Sequence, residues 1–101
     1  MNSELAKKLI LDTYRRNPSG FLRVLDLKIE KVRSDYVMAH CPFHEDSDPS
    51  FSISRLHAGW TCFSGCGSGD IFKLIAKRHG LNDRTDFKRV LEIGINIGRA
   101  I

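Results

Sequence analysis

The chain has 101 residues, three cysteines and a net charge of +4, with 42 % apolar and 28 % charged residues. A chain of this length forms one domain and buries only roughly two thirds of the surface its unfolded form exposes, so its core is small. No apolar run reaches the ~18 residues of a membrane-spanning helix, and an early Glu and two Lys interrupt any secretory leader, so neither a membrane nor a secreted protein is expected.

Asn2 or Ser3 is placed to cap a first helix, which Asn17-Pro18 stops. Leu5, Ala6, Leu9, Ile10 and Thr13 fall on one face of it, and Lys8, Asp12, Arg15 and Arg16 on the other. Pro18 to Leu25 reads as a second short helix with Phe21, Leu22 and Leu25 inward. Leu27 to Val32 alternates as a strand, and the alternation slips at Lys31-Val32, which predicts a bulge. Ser34-Asp35 turns the chain, and Tyr36 to His40 returns as a second strand. A polar loop covers Glu45 to Pro49. Ser50 to Ser54 and Ala58 to Cys62 pair as the next two strands, with Phe51 and Ile53 inward. Asp70 opens a helix through His79 with Ile71, Phe72, Ile75 and His79 on one stripe, and Gly80 ends it. Asp83 or Thr85 caps a last helix with Phe87, Val90, Leu91 and Ile95 inward.

All three cysteines lie in Cys41 to Cys66, CPFHEDSDPSFSISRLHAGWTCFSGC. Cys41 and His44 form a C-x2-H pair, and Cys62 and Cys66 a C-x3-C pair. Two ligands a few residues apart in a tight turn can point at one ion, and strands between two such turns close a tetrahedron. This is the spacing of a Cys3His zinc site. Thiolates and imidazole together suit Zn²⁺ better than Mg²⁺ or Ca²⁺. The alternatives are weaker. An odd cysteine count argues against disulfides. A thiol nucleophile would need an orienting third group and an oxyanion hole, and no such constellation is legible. His40 is a rival fourth ligand, but neighbours in an extended segment point to opposite faces, which separates it from Cys41. Gly65, Gly67 and Gly69 surround Cys66 and permit the positive φ angles of a metal knuckle. With four protein ligands in sight the metal is structural rather than catalytic. Free thiols holding a metal suit a reducing cytoplasm.

Charge is unevenly distributed. Residues 1–34 carry eight Lys/Arg against four Asp/Glu, residues 35–72 one against five, and residues 73–101 seven against three. Any phosphate binding therefore leans on the flanks, especially Lys28, Lys31 and Arg33, and Lys73, Lys77 and Arg78.

CPFH, then PSF at Pro49 to Phe51, Trp60 before CF at Cys62-Phe63, G-x-GD at Gly67 to Asp70 and Phe72 stand in one order. This pattern resembles the zinc-binding domain of bacterial and phage DNA primases of the DnaG type. The resemblance covers Tyr36 to about Phe72 and extends loosely to Leu91. It implies that Cys41, His44, Cys62 and Cys66 hold one structural Zn²⁺. The family usually has two residues in the second pair, where this chain has Phe63, Ser64 and Gly65.

The expected fold is α+β: a zinc ribbon in a small antiparallel sheet of about four strands, flanked by N- and C-terminal helices. Helices occupy 1–26, the ribbon sheet 27–66 and further helices 67–101, as a single domain. The resemblance implies a module that binds single-stranded DNA and helps select where a primer begins, beside a separate polymerase domain for which a chain of this length has no room. Alone it should not synthesise primers. Expected partners are single-stranded DNA and a primase polymerase domain or replicative helicase. Candidate DNA contacts are Lys28, Lys31, Arg33, Tyr36, Arg55, His57 and Trp60, by charge and base stacking, with Tyr36 also readable as core and Trp60 at least equally so. The competing reading is a protein-interaction module stapled by zinc.

Overall fold

The computed structural model describes residues 2–45 and 48–101, so the polar loop expected over 45–49 lies partly outside the described residues. Helix α1 spans Ser3–Arg16 and starts where the Asn2 side chain accepts the Leu5 N–H at 2.8 Å. Asn17 ends it and caps α2, Pro18–Val24, by accepting the Gly20 N–H at 3.0 Å, with Pro18 in the first turn.

Strands β1 (Ile29–Val32), β2 (Tyr36–Ala39), β3 (Phe51–Ser54), β4 (Trp60–Cys62) and β5 (Gly67–Gly69) follow, then α3 (Ile71–Arg78) and α4 (Phe87–Ala100). The strands form one antiparallel sheet in the order β1-β2-β3-β4-β5. The architecture is α+β, as expected, with one strand more than the sequence suggests. That strand is β5, which pairs Gly69 with Trp60 and Gly67 with Cys62, so the sheet runs past residue 66 into the stretch assigned to helices. Pairing to β4 makes it a strand; its Gly-Ser-Gly sequence does not. A bulge is present, but earlier than the expected Lys31-Val32: the register shifts between Ile29 and Lys31, leaving Glu30 as the extra residue, while Lys31 and Val32 pair in step with Met38 and Val37.

Strict alternation sorts the sheet into two faces. Val37, Ile53 and Trp60 form one buried row and Ala39, Phe51 and Cys62 the next. They join Ile10, Tyr14, Phe21, Leu22, Ile71, Leu74, Ile75 and Val90 in one core between sheet and helices. The opposite face carries Tyr36, Met38, Ser52, Ser54 and Thr61.

Three helices depart from their expected faces; in α3 the buried set is Ile71, Leu74, Ile75 and Ala76, with Phe72 half-buried and His79 exposed. In α1 the buried stripe is Ala6, Ile10 and Tyr14, while Leu5 and Leu9 are 46 % and 38 % exposed. Tyr14 sets the rotation, because its hydroxyl donates to the Ser54 carbonyl at 2.8 Å. In α4 the buried positions are Val90, Leu91, Gly94 and Ile97, with Phe87 and Ile95 half-buried. Neither Asp83 nor Thr85 caps it. Instead Asn82 accepts the N–H groups of Arg84 and Thr85 and organises the turn ahead of the helix. Gly94 lets α1 and α4 approach: a Cβ there would stand 2.6 Å from Ile10 Cδ1.

Candidate metal centre and sheet face

β2 delivers Cys41 to the end of the sheet, and Cys62 is the last residue of β4, in the adjoining row. Cys66 closes the β4–β5 turn, since Cys62 pairs directly with Gly67. The extra residue of the C-x3-C pair is absorbed there in a four-residue hairpin loop, with Gly65 and Gly67 at φ +92° and +122°. His44 lies one turn beyond Cys41, and its Nδ1 is 2.7 Å from Cys66 Sγ. One donor atom from each of Cys41, His44, Cys62 and Cys66 lies within 4.8 Å of all the others.

This donor set fits zinc. Ligand atoms on a tetrahedral Zn²⁺ stand about 3.5–3.8 Å apart, a spacing that the 2.7 Å His44–Cys66 contact and the 4.8 Å limit of the cluster bracket. His40 is not part of the cluster: its Nε2 pairs with Glu30 at 3.2 Å. His79 is not a ligand either, and caps α3 with its Nδ1 at 2.9 Å from the Ile75 carbonyl.

The backbone is arranged for thiolates. Burial pushes the Cys41 thiol up to about 12, more than the Phe43 N–H offsets. Burial raises Cys62 as well, but there the N–H groups of Cys66 and Ser64, the Cys41 thiol and the Ser50 hydroxyl outweigh it and bring it down to about 7. Of this pair Cys62 is thus the more readily deprotonated. A bound cation removes that difference, because a coordinating thiol is deprotonated outright.

An aromatic floor lies beneath the cluster. Phe43 meets Trp60 at 5.9 Å, and Trp60 stacks on Phe51 at 5.3 Å. Trp60 is 2 % exposed, and its Nε1 donates to the Asp70 carbonyl at 2.8 Å. It is therefore a core residue under the metal centre, which corrects its place among the candidate DNA contacts: a buried indole has no free face for a base.

The other candidates lie on the open side of the sheet. Tyr36, Arg55 and His57 line a groove of about 830 Å³, together with Arg15, Ser52, Ser54, Thr61 and Phe63. Arg55 is fixed at its edge by donating to the Arg33 carbonyl at 2.6 Å. Lys31 stands opposite Met38 on this face, and the Arg33 N–H donates to the Tyr36 carbonyl, but neither side chain lines the groove itself. Lys28, also exposed, lies level with His40, whose N–H its carbonyl accepts. Of the second basic flank, exposed Lys77 and half-buried Arg78 donate to the carbonyls of Cys66 and Leu25.

Arg15 and Phe63 were not foreseen. Phe63 is 69 % exposed, and the alternation Trp60-in, Thr61-out, Cys62-in already points it outward. Arg15 comes from α1 and is held by donating to the Leu56 carbonyl, a contact across 41 residues that no local signal marks.

Comparison with known proteins agrees with this site. Residues 22–97 match the family described as the CHC2 zinc finger, the zinc ribbon of DnaG. The DNA primase of Aquifex aeolicus is 37 % identical over 76 residues, covering 74 % of this chain and 14 % of that protein. Those of Enterococcus faecalis and Helicobacter pylori are 34 % and 44 % identical over 68 and 50 residues, covering 66 % and 48 % of this chain. The chain thus spans about a tenth to a seventh of the length of these relatives.

Proposed function

The chain belongs to the CHC2 zinc-finger family of DnaG-type DNA primases, and from that premise we propose that it is a zinc-stapled module that binds single-stranded template DNA for primer initiation. The zinc ion is structural: the four ligands leave no position for substrate. It would fix the end of the sheet where Cys41 and Cys62 leave β2 and β4.

The groove carries the reading. Tyr36 and Phe63 offer rings on which bases stack, Arg15 and Arg55 offer charge for the backbone, and the exposed Lys31 and Arg33 add charge from neighbouring β1 and its turn. Ser52, Ser54 and Thr61 give it a polar lining. His57 stands at its rim, its Nδ1 accepting the Gly59 N–H. No helix among the described residues is long and apolar enough to cross a membrane. On this reading the partners are template DNA, a primase polymerase domain and the replicative helicase, in the cytoplasm. Primer synthesis itself belongs to that other domain.

Titration with short single-stranded DNA at two salt concentrations tests it. Binding that weakens as salt rises, with a slope of several phosphates, supports the reading. Binding that is absent, or indifferent to salt, favours a protein-interaction module instead.

A further inference from the structure

The −1 charge of a centre made from Zn²⁺, three thiolates and a neutral imidazole must be offset from nearby, and residues 35–72 carry only Arg55 against five acids. The cation that reaches it comes from α3. Lys77 Nζ donates to the Cys66 carbonyl at 2.9 Å and stands 4.9 Å from the centre of the Phe43 ring. Cys66 belongs to one ligand turn and Phe43 to the other, where its N–H donates to the Cys41 sulfur. Gly67, at φ +122°, passes directly beneath, and a Cβ there would lie 3.9 Å from the amine.

We propose that Lys77 is a positioning residue of the metal centre, a clamp that ties the two ligand turns together and offsets the charge of the thiolates. The ammonium bridges two turns that the cluster, the aromatic rings and the strand ladder also join. Its rigid mounting supports this role. Ile71, Leu74, Ile75 and Ala76 bury α3 in the core, and Asp70 fixes its start by accepting the Lys73 N–H. Its amine already meets the Cys66 carbonyl and the Phe43 ring. Lys73, one turn earlier on α3, packs its stem over Gly69 instead.

The test is zinc release to a chelator from the intact chain, with cobalt substituted for zinc in parallel. Lys77→Met keeps the stem but loses the charge and the donor. It is expected to release zinc roughly 10-fold faster, as losses in the layer behind metal ligands do, and to shift the cobalt–thiolate absorption. Lys77→Arg should restore most of the retention, and Lys73→Met should leave release and spectrum at the parent values. Release by Lys77→Met within twofold of the parent would overturn the proposal. So would Met and Arg variants that are equally fast with an unchanged cobalt spectrum, which would mean a packing defect in α3.

Discussion

The indole of Trp60 donates to the Asp70 carbonyl at 2.8 Å, so the centre of β4 is tied to the residue that caps α3. That bond, with the rings of Phe43 and Phe51 on either side, makes one residue the joint between sheet, ligand turn and helix. Trp60→Phe keeps a ring but loses the N–H and part of the volume. It should cost about 1–3 kcal/mol, read as a lower denaturant midpoint at unchanged m-value. Single-strand binding by the folded variant should equal that of the parent. A variant with full stability and weakened DNA binding would return Trp60 to the surface.

Gly94 and Gly98 face α1 from α4 and predict opposite outcomes. Alanine in a helix interior is favoured over glycine by about 1 kcal/mol. At Gly94 the new methyl meets Ile10 Cδ1 at 2.6 Å and Cγ1 at 2.9 Å, within a side chain only 1 % exposed. Overpacking of that kind costs about 1–3 kcal/mol, so Gly94→Ala should be net destabilising. At Gly98 the nearest atom is Thr13 Cγ2 at 3.2 Å, on a half-buried residue. Gly98→Ala should be neutral or stabilising in the same denaturation series. Equal midpoints for the two variants would show that the α1–α4 approach is not set by Gly94.

Tyr14 gives the fold an alkaline limit. Burial raises its hydroxyl well above the ordinary value of 10.0, more than nearby Arg55 lowers it. A raised folded value means that the neutral form is favoured in the native state. The stabilisation is therefore complete below pH ~10 and is lost as pH rises beyond it. Tyr14→Phe should cost about 0.5–1.5 kcal/mol at pH 7 through the lost bond to the Ser54 carbonyl. It should also flatten the fall in thermal midpoint above pH 10. Parallel pH profiles for parent and variant would exclude this tyrosine as the source.

What the sequence made legible was local. The metal quartet is read from two short spacings, and the structure gathers those four donors while leaving His40 on Glu30. Most strands followed from alternation, and Asn17-Pro18 marked its own boundary. What escaped depends on partners distant in the chain. Gly67-Ser68-Gly69 has no apolar pattern and is a strand only because β4 offers its edge. The face of α1 was misplaced because Leu5 and Leu9 look as apolar as Ile10, and the choice is made by Tyr14 reaching Ser54, 40 residues on. Arg15 entered the groove by the same rotation. Trp60 was ambiguous because an aromatic in a strand reads alike on either face until the partner rows are known.

One zinc ion per chain is expected in native mass spectrometry, lost on acidification as thiolates and imidazole take up protons. Chelation should lower the thermal midpoint strongly, because so small a core depends on its metal. Cys62→Ser should lose most of the zinc, and the N–H groups of Ser64 and Cys66 would then face a poorer acceptor. Full zinc occupancy and parent stability in that variant would sink the ligand assignment.

The position of DNA on the sheet face is the most exposed of these expectations. Arg33 and Tyr36 lie side by side at the β1–β2 turn, joined by the Arg33 N–H donating to the Tyr36 carbonyl at 2.8 Å. Phe63 stands across the groove, 69 % exposed. Tyr36→Ala and Phe63→Ala should each weaken single-strand binding by about 1–3 kcal/mol, the usual worth of one stacked base. Arg33→Ala should weaken it and lower the salt slope by nearly one unit, as one phosphate contact is lost. None of the three should release zinc, since none contributes a ligand. Lys7 is the control: it pairs with Glu4 at 3.0 Å and lies over Phe87, outside the groove. Lys7→Ala should change little. If it weakens binding as much as Arg33→Ala does, attraction is diffuse charge over the whole basic surface, and no site on the sheet face is needed to explain it.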